Sequence, residues 1–479
     1  MNLTCLVLCL IRHIVKNIAT LPPSRDTNNS VRSLTLHLPL LADFLSWIVK
    51  ATAIKLMTSI YIIRKYFIKN SERIIKMRVK LLHFMPVILS VLLLVGAVTL
   101  NRGNETYALS PETEPSTKTE SESDHTAFNQ DDGEMRGIWV SYMTLDMQSS
   151  AMTQNAFEEK FDTIISNATS GGFNTLIVQV RPFCDALYRS KIFPMSHLLT
   201  GEQGKDCGYD PLGIMVEKAH SAGLKIHAWI NPYRVKTDQT PAVLSDKNPY
   251  SKVNSIGVEL DSGIYLNPAL DKVIDLIVNG VEEIVKNYDV DGIQFDDYFY
   301  PTEDSSFDSE QYTEYTDDGG KLSLEDWRKE NINKMLREVY RTVHESGAVF
   351  GVSPQGNLAN NSALGADPAL WYTESGYIDY ICPQLYFSLD NPSLTFEAAL
   401  DDWTTLTPAE NVRIYIGLAG YKAGSDSDGG TWEDNSDILS REIEIIREKK
   451  LDGFMLYSYD SIVNEASQEE IQNVIALLN

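Results

Sequence analysis

Two carboxylates stand side by side where an apolar run stops. Val290-Asp-Gly-Ile-Gln-Phe-Asp-Asp-Tyr-Phe-Tyr-Pro301 reads as a buried strand that ends in Asp296 and Asp297 and then in three aromatic rings. Carboxylates at the C-terminal end of a strand can donate a proton, accept one or attack an anomeric carbon, and rings beside them can stack on a sugar. The competing structural reading is a carboxylate pair that only caps the next helix. The aromatic flank and Pro301 favour a site.

The elements that must carry these residues alternate between apolar, strand-like runs and amphipathic helical runs from residue 134 to 479. That pattern calls for a parallel sheet with crossover helices. Eight strands are predicted, at 136–142, 175–181, 225–231, 292–297, 349–354, 378–386, 413–419 and 453–459. Helices are clearest at 157–168, 211–222, 270–288, 324–345 and 436–449. Gly171-Gly172, Gly223 and Gly347 stand where helices stop and supply left-handed caps. Eight units in one domain predict an α/β fold of the (β/α)8 or TIM-barrel class. A doubly wound open sheet is the alternative, but Gly137-Ile-Trp-Val-Ser after the first strand start is not a phosphate loop.

In a barrel the C-terminal strand ends converge on one mouth. Here they carry Trp139 and Tyr142, then Gln179, Arg181 and Asp185, then His227, Trp229, Asn231, Tyr233 and Arg234. Around the ring follow Asp296, Asp297 and Tyr298, then Gln355 and Asn357, Gln384 and Tyr386, Tyr421, and last Tyr457 and Asp460. Rings, amides, arginines and carboxylates are what pyranose recognition uses. Each of them alone has a plainer reading as core, rim or ion-pair partner; the coincidence over eight strand ends carries the expectation.

These motifs resemble glycosyl hydrolase-like family ten, the YngK-like group of bacterial proteins. The resemblance rests on Met135-Arg-Gly-Ile-Trp-Val, Gln179-Val-Arg-Pro with Asp185-Ala-Leu-Tyr188, and His227-Ala-Trp-Ile-Asn-Pro-Tyr-Arg234. It continues through Asp291-Gly-Ile-Gln-Phe-Asp-Asp-Tyr, Gly351-Val-Ser-Pro and Tyr380-Ile-Cys-Pro-Gln-Leu-Tyr386, over about residues 134–460. It implies a barrel, glycan hydrolysis and an envelope location, with cell-wall or other polysaccharide substrates. Gln355-Gly stands where the family often has Phe-Gly, and Gln294 where a His is common. The same stretch is similar to the fourth-strand motif of chitinases, except that Tyr298 replaces their acid Glu.

Neighbouring residues on a strand face opposite ways. Asp296 and Asp297 are therefore not expected to pair with each other. Asp296 is expected as nucleophile or stabilising carboxylate, and Asp297 as the residue that orients Arg181 or Arg234. The acid is then sought elsewhere: Asp185 first, Asp460 and Glu374 after it. Substrate-assisted cleavage of an N-acetylated sugar is a third route. It would have Asp297 or a loop as the acid, and Gln384 and Tyr386 holding the acetamido group. A glycan-binding protein on a degenerate barrel is the rival class, since fold does not imply function.

Composition narrows the partners. Residues 1–80 hold 13 Lys and Arg against 3 Asp and Glu, so the rest carries about −35. Such a body repels nucleic acid and polyphosphate. The eight histidines form no HExxH pattern and the five cysteines no CxxC, so neither metal nor cofactor is expected. Cys184 and Cys207 could pair if the domain is exported. Asp426-x-Asp428-Gly, with Glu433 and Asp434, echoes a calcium loop but misses the EF-hand spacing.

Residues 81–100 are uncharged, long enough to span a bilayer, preceded by Arg73, Lys76, Arg78 and Lys80 and followed by an acidic segment. A signal or signal-anchor is expected at 77–100, the uncleaved anchor being favoured over a cleaved signal, with the body outside the cell membrane or secreted. Met77 looks like a natural start, which makes 1–76 a mis-extension; a further membrane segment near 40–63 is the alternative. Residues 101–133, rich in Glu, Ser, Thr and Pro, read as a solvated linker.

Overall fold

The computed structural model describes residues 133–479. The expectations for 1–76, 77–100 and all but the last residue of the linker lie outside the described residues. Among the described residues no helix is long and apolar enough to cross a membrane.

The strands are β1 Met135–Val140, β2 Thr175–Arg181, β3 Lys225–Ile230, β4 Arg234–Thr237, β5 Gly257–Leu260, β6 Gly263–Leu266, β7 Gly292–Phe295, β8 Val349–Val352, β9 Tyr380–Ile381, β10 Arg413–Ile414, β11 Ile416–Leu418 and β12 Gly453–Leu456. Nine of them form one parallel sheet in the order β10-β9-β8-β7-β3-β2-β1-β12-β11. β10 and β11 are halves of one strand interrupted at Tyr415. On one side Tyr415 N–H and Gly417 N–H donate to Ile381 and Pro383 carbonyls, both at 2.9 Å. On the other, Ile416–Leu418 pair with Phe454–Leu456. The ring therefore closes on eight strands, as expected. The insertion after β3 was not anticipated: β4, β6 and β5 form a separate antiparallel sheet.

Crossover helices cover the outside. They include α1 Gln154–Ser170, α2 Pro211–Ser221, α3 Asp271–Asn287, α4 Ser309–Asp317, α5 Leu324–His344, α6 Phe396–Thr404, α7 Ile438–Glu448 and α8 Gln468–Leu478. In α3 the buried residues Val273, Ile274, Ile277, Gly280, Val281 and Ile284 follow helical spacing, so one stripe faces the sheet. β2 is buried at every position, because one face meets the helices and the other the lumen.

The lumen has its own cluster: Met135, Trp139, Ile177, Trp229, Val349, Tyr380, Cys382, Tyr415 and Met455. Glycines on neighbouring strands make room for these large groups. A methyl on Gly351 would fall on the Tyr380 ring, and one on Gly137 would meet Met455. Tyr380 is fully buried and cannot swing away. Gly351→Ala is expected to lower stability by about 1–3 kcal/mol through overpacking, read as a lower midpoint in denaturant unfolding.

Candidate active site

Strand alternation selects which side chains enter the lumen. On β7 Gly292 packs against His227, and Gln294 accepts Trp139 Nε1–H at 2.8 Å, so Asp296 continues on the inner face above them. There a cleft of about 290 Å³ is lined by Trp139, Trp229, Asp296, Asp297, Tyr298, Ser353, Gln384, Tyr386, Tyr421 and Tyr457. It lies at the small end of the range for ligand sites.

Both aspartates line this cleft, contrary to the expectation that they face apart. The ladder ends at Phe295. Beyond it the chain turns, with Phe299 N–H donating to the Asp297 carbonyl at 3.0 Å. Strict alternation holds only while strand geometry does.

Asp296 is buried. Its Oδ2 accepts Trp229 Nε1–H at 3.1 Å and the Asn231 amide, while Tyr298 N–H approaches Oδ1 at 3.5 Å. Asn231 is itself held: Gln179 Nε2–H donates to its Oδ1 at 2.6 Å, and Tyr142 N–H donates to Gln179 at 2.9 Å. Three strand tips thus orient one carboxyl. Burial, and then the neighbouring Asp297, push its pKa up to about 7 against the opposing pull of Arg234, Trp229 and Tyr298 N–H. Asp297 is half-buried and accepts Gln384 Nε2–H at 3.2 Å. Its pKa is also raised by burial, with Gln384 and Gln355 working to keep it charged. Asp297 is thus oriented by amides, while the positive charge of Arg234 acts on Asp296. Burial and both carboxylates raise the Tyr298 hydroxyl to about 12, so it stays protonated at neutral pH.

The rings come from three loops. Tyr386, Tyr421 and Tyr457 meet pairwise at centroid separations of 5.7–5.9 Å. Lys422 fastens two of these loops: its Nζ donates to the Tyr386 carbonyl at 2.7 Å and to Asp428 Oδ1 at 2.8 Å. Asp428 Oδ2 also accepts Ser388 N–H at 2.9 Å and Trp432 Nε1–H at 3.0 Å. Burial opposes its charge, but these donors outweigh it and hold its pKa below the usual value. The supposed calcium loop is thus occupied in its Asp428 by an internal ion pair. Asp428→Asn is expected to raise KM about 3–10-fold with kcat nearly unchanged, because a charge-assisted tie beneath the rings is weakened. Steady-state kinetics of both proteins on one substrate check it.

Several expected site residues are elsewhere. A register shift in β2 between Gln179 and Arg181 sets Arg181 opposite Ile230. The bulge turns it outward, where its guanidinium lies 4.5 Å from the Phe193 ring and against Gly280 of α3. His227 lies a layer below the mouth, 3.0 Å from the Tyr380 hydroxyl, and burial pushes its pKa down to about 4. It also lines a cavity of about 520 Å³ at the N-terminal end of the barrel, the end associated with stability. Tyr233 is buried in the outer core, and Asn357 caps the 3-10 helix Leu358–Leu364. Asp185 does not reach the cleft; it is fully buried against His197 at 3.2 Å and Gln203 at 3.0 Å. Asp460 accepts the Thr144 hydroxyl at 3.0 Å outside the cleft, and Glu374 ends the short helix Pro368–Thr373, exposed. Cys184 and Cys207 are both free thiols. Trp139 and Tyr421, read from the sequence at strand ends, line the cleft, and so does Ser353 just beyond β8.

A family model described as Glycosyl hydrolase-like 10 matches residues 134–433. The chain is 33% identical over 347 residues to the Glycosyl hydrolase YngK of Bacillus subtilis, covering 66% of this chain and 68% of that one. It is 35% identical over 333 residues to the Glycosyl hydrolase DigH of Escherichia coli, covering 61% and 74%. Among solved structures the glycoside hydrolase domain of PgaB (BpsB) from Bordetella bronchiseptica shares the fold, at a TM-score of 0.50 and 13% identity over 72% of this chain and 99% of that one.

Proposed function

The chain belongs to the glycosyl hydrolase-like 10 family, and from that premise we propose that it hydrolyses glycosidic bonds of an amino-sugar glycan outside the cytoplasm. The observation that carries the reading is the buried Asp296 beside Asp297 on the floor of an aromatic cleft. Two adjacent carboxyls push their proton affinities apart. Asp296, its pKa raised to about 7, holds a proton up to neutral pH and donates it to the departing glycosidic oxygen. Asp297, held by Gln384 and Gln355, carries the charge and stabilises the cationic sugar.

Consecutive Cα atoms lie ~3.8 Å apart, so both carboxyls approach from one side and do not bracket the sugar as an inverting pair does. That favours an N-acetylated substrate whose own acetamido oxygen attacks the anomeric carbon while the leaving oxygen takes the Asp296 proton. Water then opens the cyclic intermediate and returns that proton. Tyr386, Tyr421 and Tyr457 supply faces for stacking, and the unpaired Ser353 hydroxyl is a further donor. Export is supported by the uncharged run at 81–100 behind basic residues.

Release of reducing ends from N-acetylated oligosaccharides, compared with 2-hydroxy counterparts of the same linkage, tests the proposal. Cleavage of the acetamido series alone is expected. Binding without any release of reducing ends would leave a glycan-binding protein instead.

A further inference from the structure

A second cleft, of about 710 Å³, lies beside the first and has no part in the chemistry above. It is formed by the loop after β2 and the loop after β4, with Gln148 from the loop after β1. Its lining offers Gln148, Gln239 and Thr240 as neutral hydrogen-bonding groups and Glu202 and Asp246 as carboxylates, with no Lys or Arg. Amides and hydroxyls in a roomy concave surface suit sugar hydroxyls, and the carboxylates disfavour anionic sugars.

The wall of this cleft is braced from behind. His197 Nδ1 meets Asp185 Oδ2 at 3.2 Å and its Nε2 meets the Thr240 hydroxyl at 2.8 Å. Gln203 donates to Asp185 at 3.0 Å and accepts Ser245 N–H at 2.9 Å, tying the two loops together. The cleft is therefore preformed, which lowers the entropy lost on binding.

Arg234 and Phe183 lie between the two clefts. Tyr298 of the first cleft lies 5.6 Å from the Arg234 guanidinium, which lies 4.9 Å from the Phe183 ring. Phe183 in turn lies 5.6 Å from the His197 ring of the second cleft. These steps put the Tyr298 and His197 rings at most about 16 Å apart, a distance that a glycan chain of several units is long enough to span.

We propose that the cleft at Gln148, Gln239 and Thr240 is a remote subsite for a neutral or amine-bearing glycan chain, so that the protein acts on polymers in preference to short oligosaccharides. The inference rests on the glycosidase reading and extends it to substrate length and charge.

The test compares N-acetylglucosamine oligomers of two and six units, and a partly deacetylated hexamer, as ligands of Asp296→Asn and as substrates of the wild type. The hexamers are expected to bind more tightly and to turn over faster than the dimer. The double variant Gln148→Ala/Gln239→Ala, at two exposed positions, is expected to lose about tenfold in kcat/KM on the hexamer and nothing on the dimer, as two hydrogen bonds are removed. Glu202→Gln/Asp246→Asn is expected to weaken the deacetylated hexamer more than the acetylated one. Equal behaviour of dimer and hexamer in both binding and turnover, or equal loss on both in the first variant, overturns the subsite. Chain-length-dependent binding without turnover would uphold the subsite while overturning the glycosidase reading.

Discussion

Asp296→Asn is expected to reduce kcat by about two to four orders of magnitude, the range for removing a positioned proton donor. Oligosaccharide affinity should stay near the wild-type value, because the rings, Gln384 and Asp297 are untouched. An asparagine oxygen can still accept from Trp229 and Asn231, so the side chain keeps its place while losing its proton. The same variant should be more stable than the wild type at pH 8. A buried carboxyl with a pKa of about 7 binds its proton more tightly folded than unfolded. Its stabilising contribution is complete at low pH, below the unfolded pKa, and is lost as pH rises through 7. Asparagine has no proton to lose, and on the order of 1–3 kcal/mol should be recovered. Turnover by Asp296→Asn within threefold of wild type would remove Asp296 from the chemistry. Loss of activity accompanied by lower stability at pH 8 would mean that the fold, not the acid, had been damaged.

Activity should also fall with alkali. With Asp296 as proton donor, kcat/KM is expected to be level below about pH 7 down to the point where Asp297 gains a proton, and to drop about tenfold per unit above pH 7. Two units above the midpoint the loss approaches a hundredfold. Asn231→Ala gives the control that ties the limb to this carboxyl. Asn231 donates to Asp296 and so favours its charged form. Without it the alkaline limb should move to higher pH even though kcat itself falls. An alkaline limb that stays in place in Asn231→Ala would assign the titration to another group.

The fold was legible because parallel barrel strands are buried on both faces and helices between them carry an apolar stripe every three or four residues. β2 and α3 show both signals with little ambiguity. The β4–β6–β5 sheet was missed because its strands are four residues each, too short for periodicity to register. That Asp296, Asp297, Trp229, Tyr298, Gln384, Tyr386 and Tyr457 meet in one cleft was legible because they occupy strand tips, and strand tips share a mouth whatever the register.

The sequence by itself determined the class of fold, the carboxylate pair and the ring-rich mouth around it, because these follow from local pattern and from where strands end. Orientation was decided only in three dimensions. One extra residue in β2 turned Arg181 out of the barrel. Depth along β3 put His227 under the mouth and Trp229 within it. The stop at Phe295 let both aspartates face the same cleft. Asp185, sought as the acid, became the brace of a neighbouring wall because its partners His197 and Gln203 lie on the loop that follows it. Each outcome depends on bulges, strand ends and loop paths set by packing between distant segments, and single-chain periodicity does not encode them.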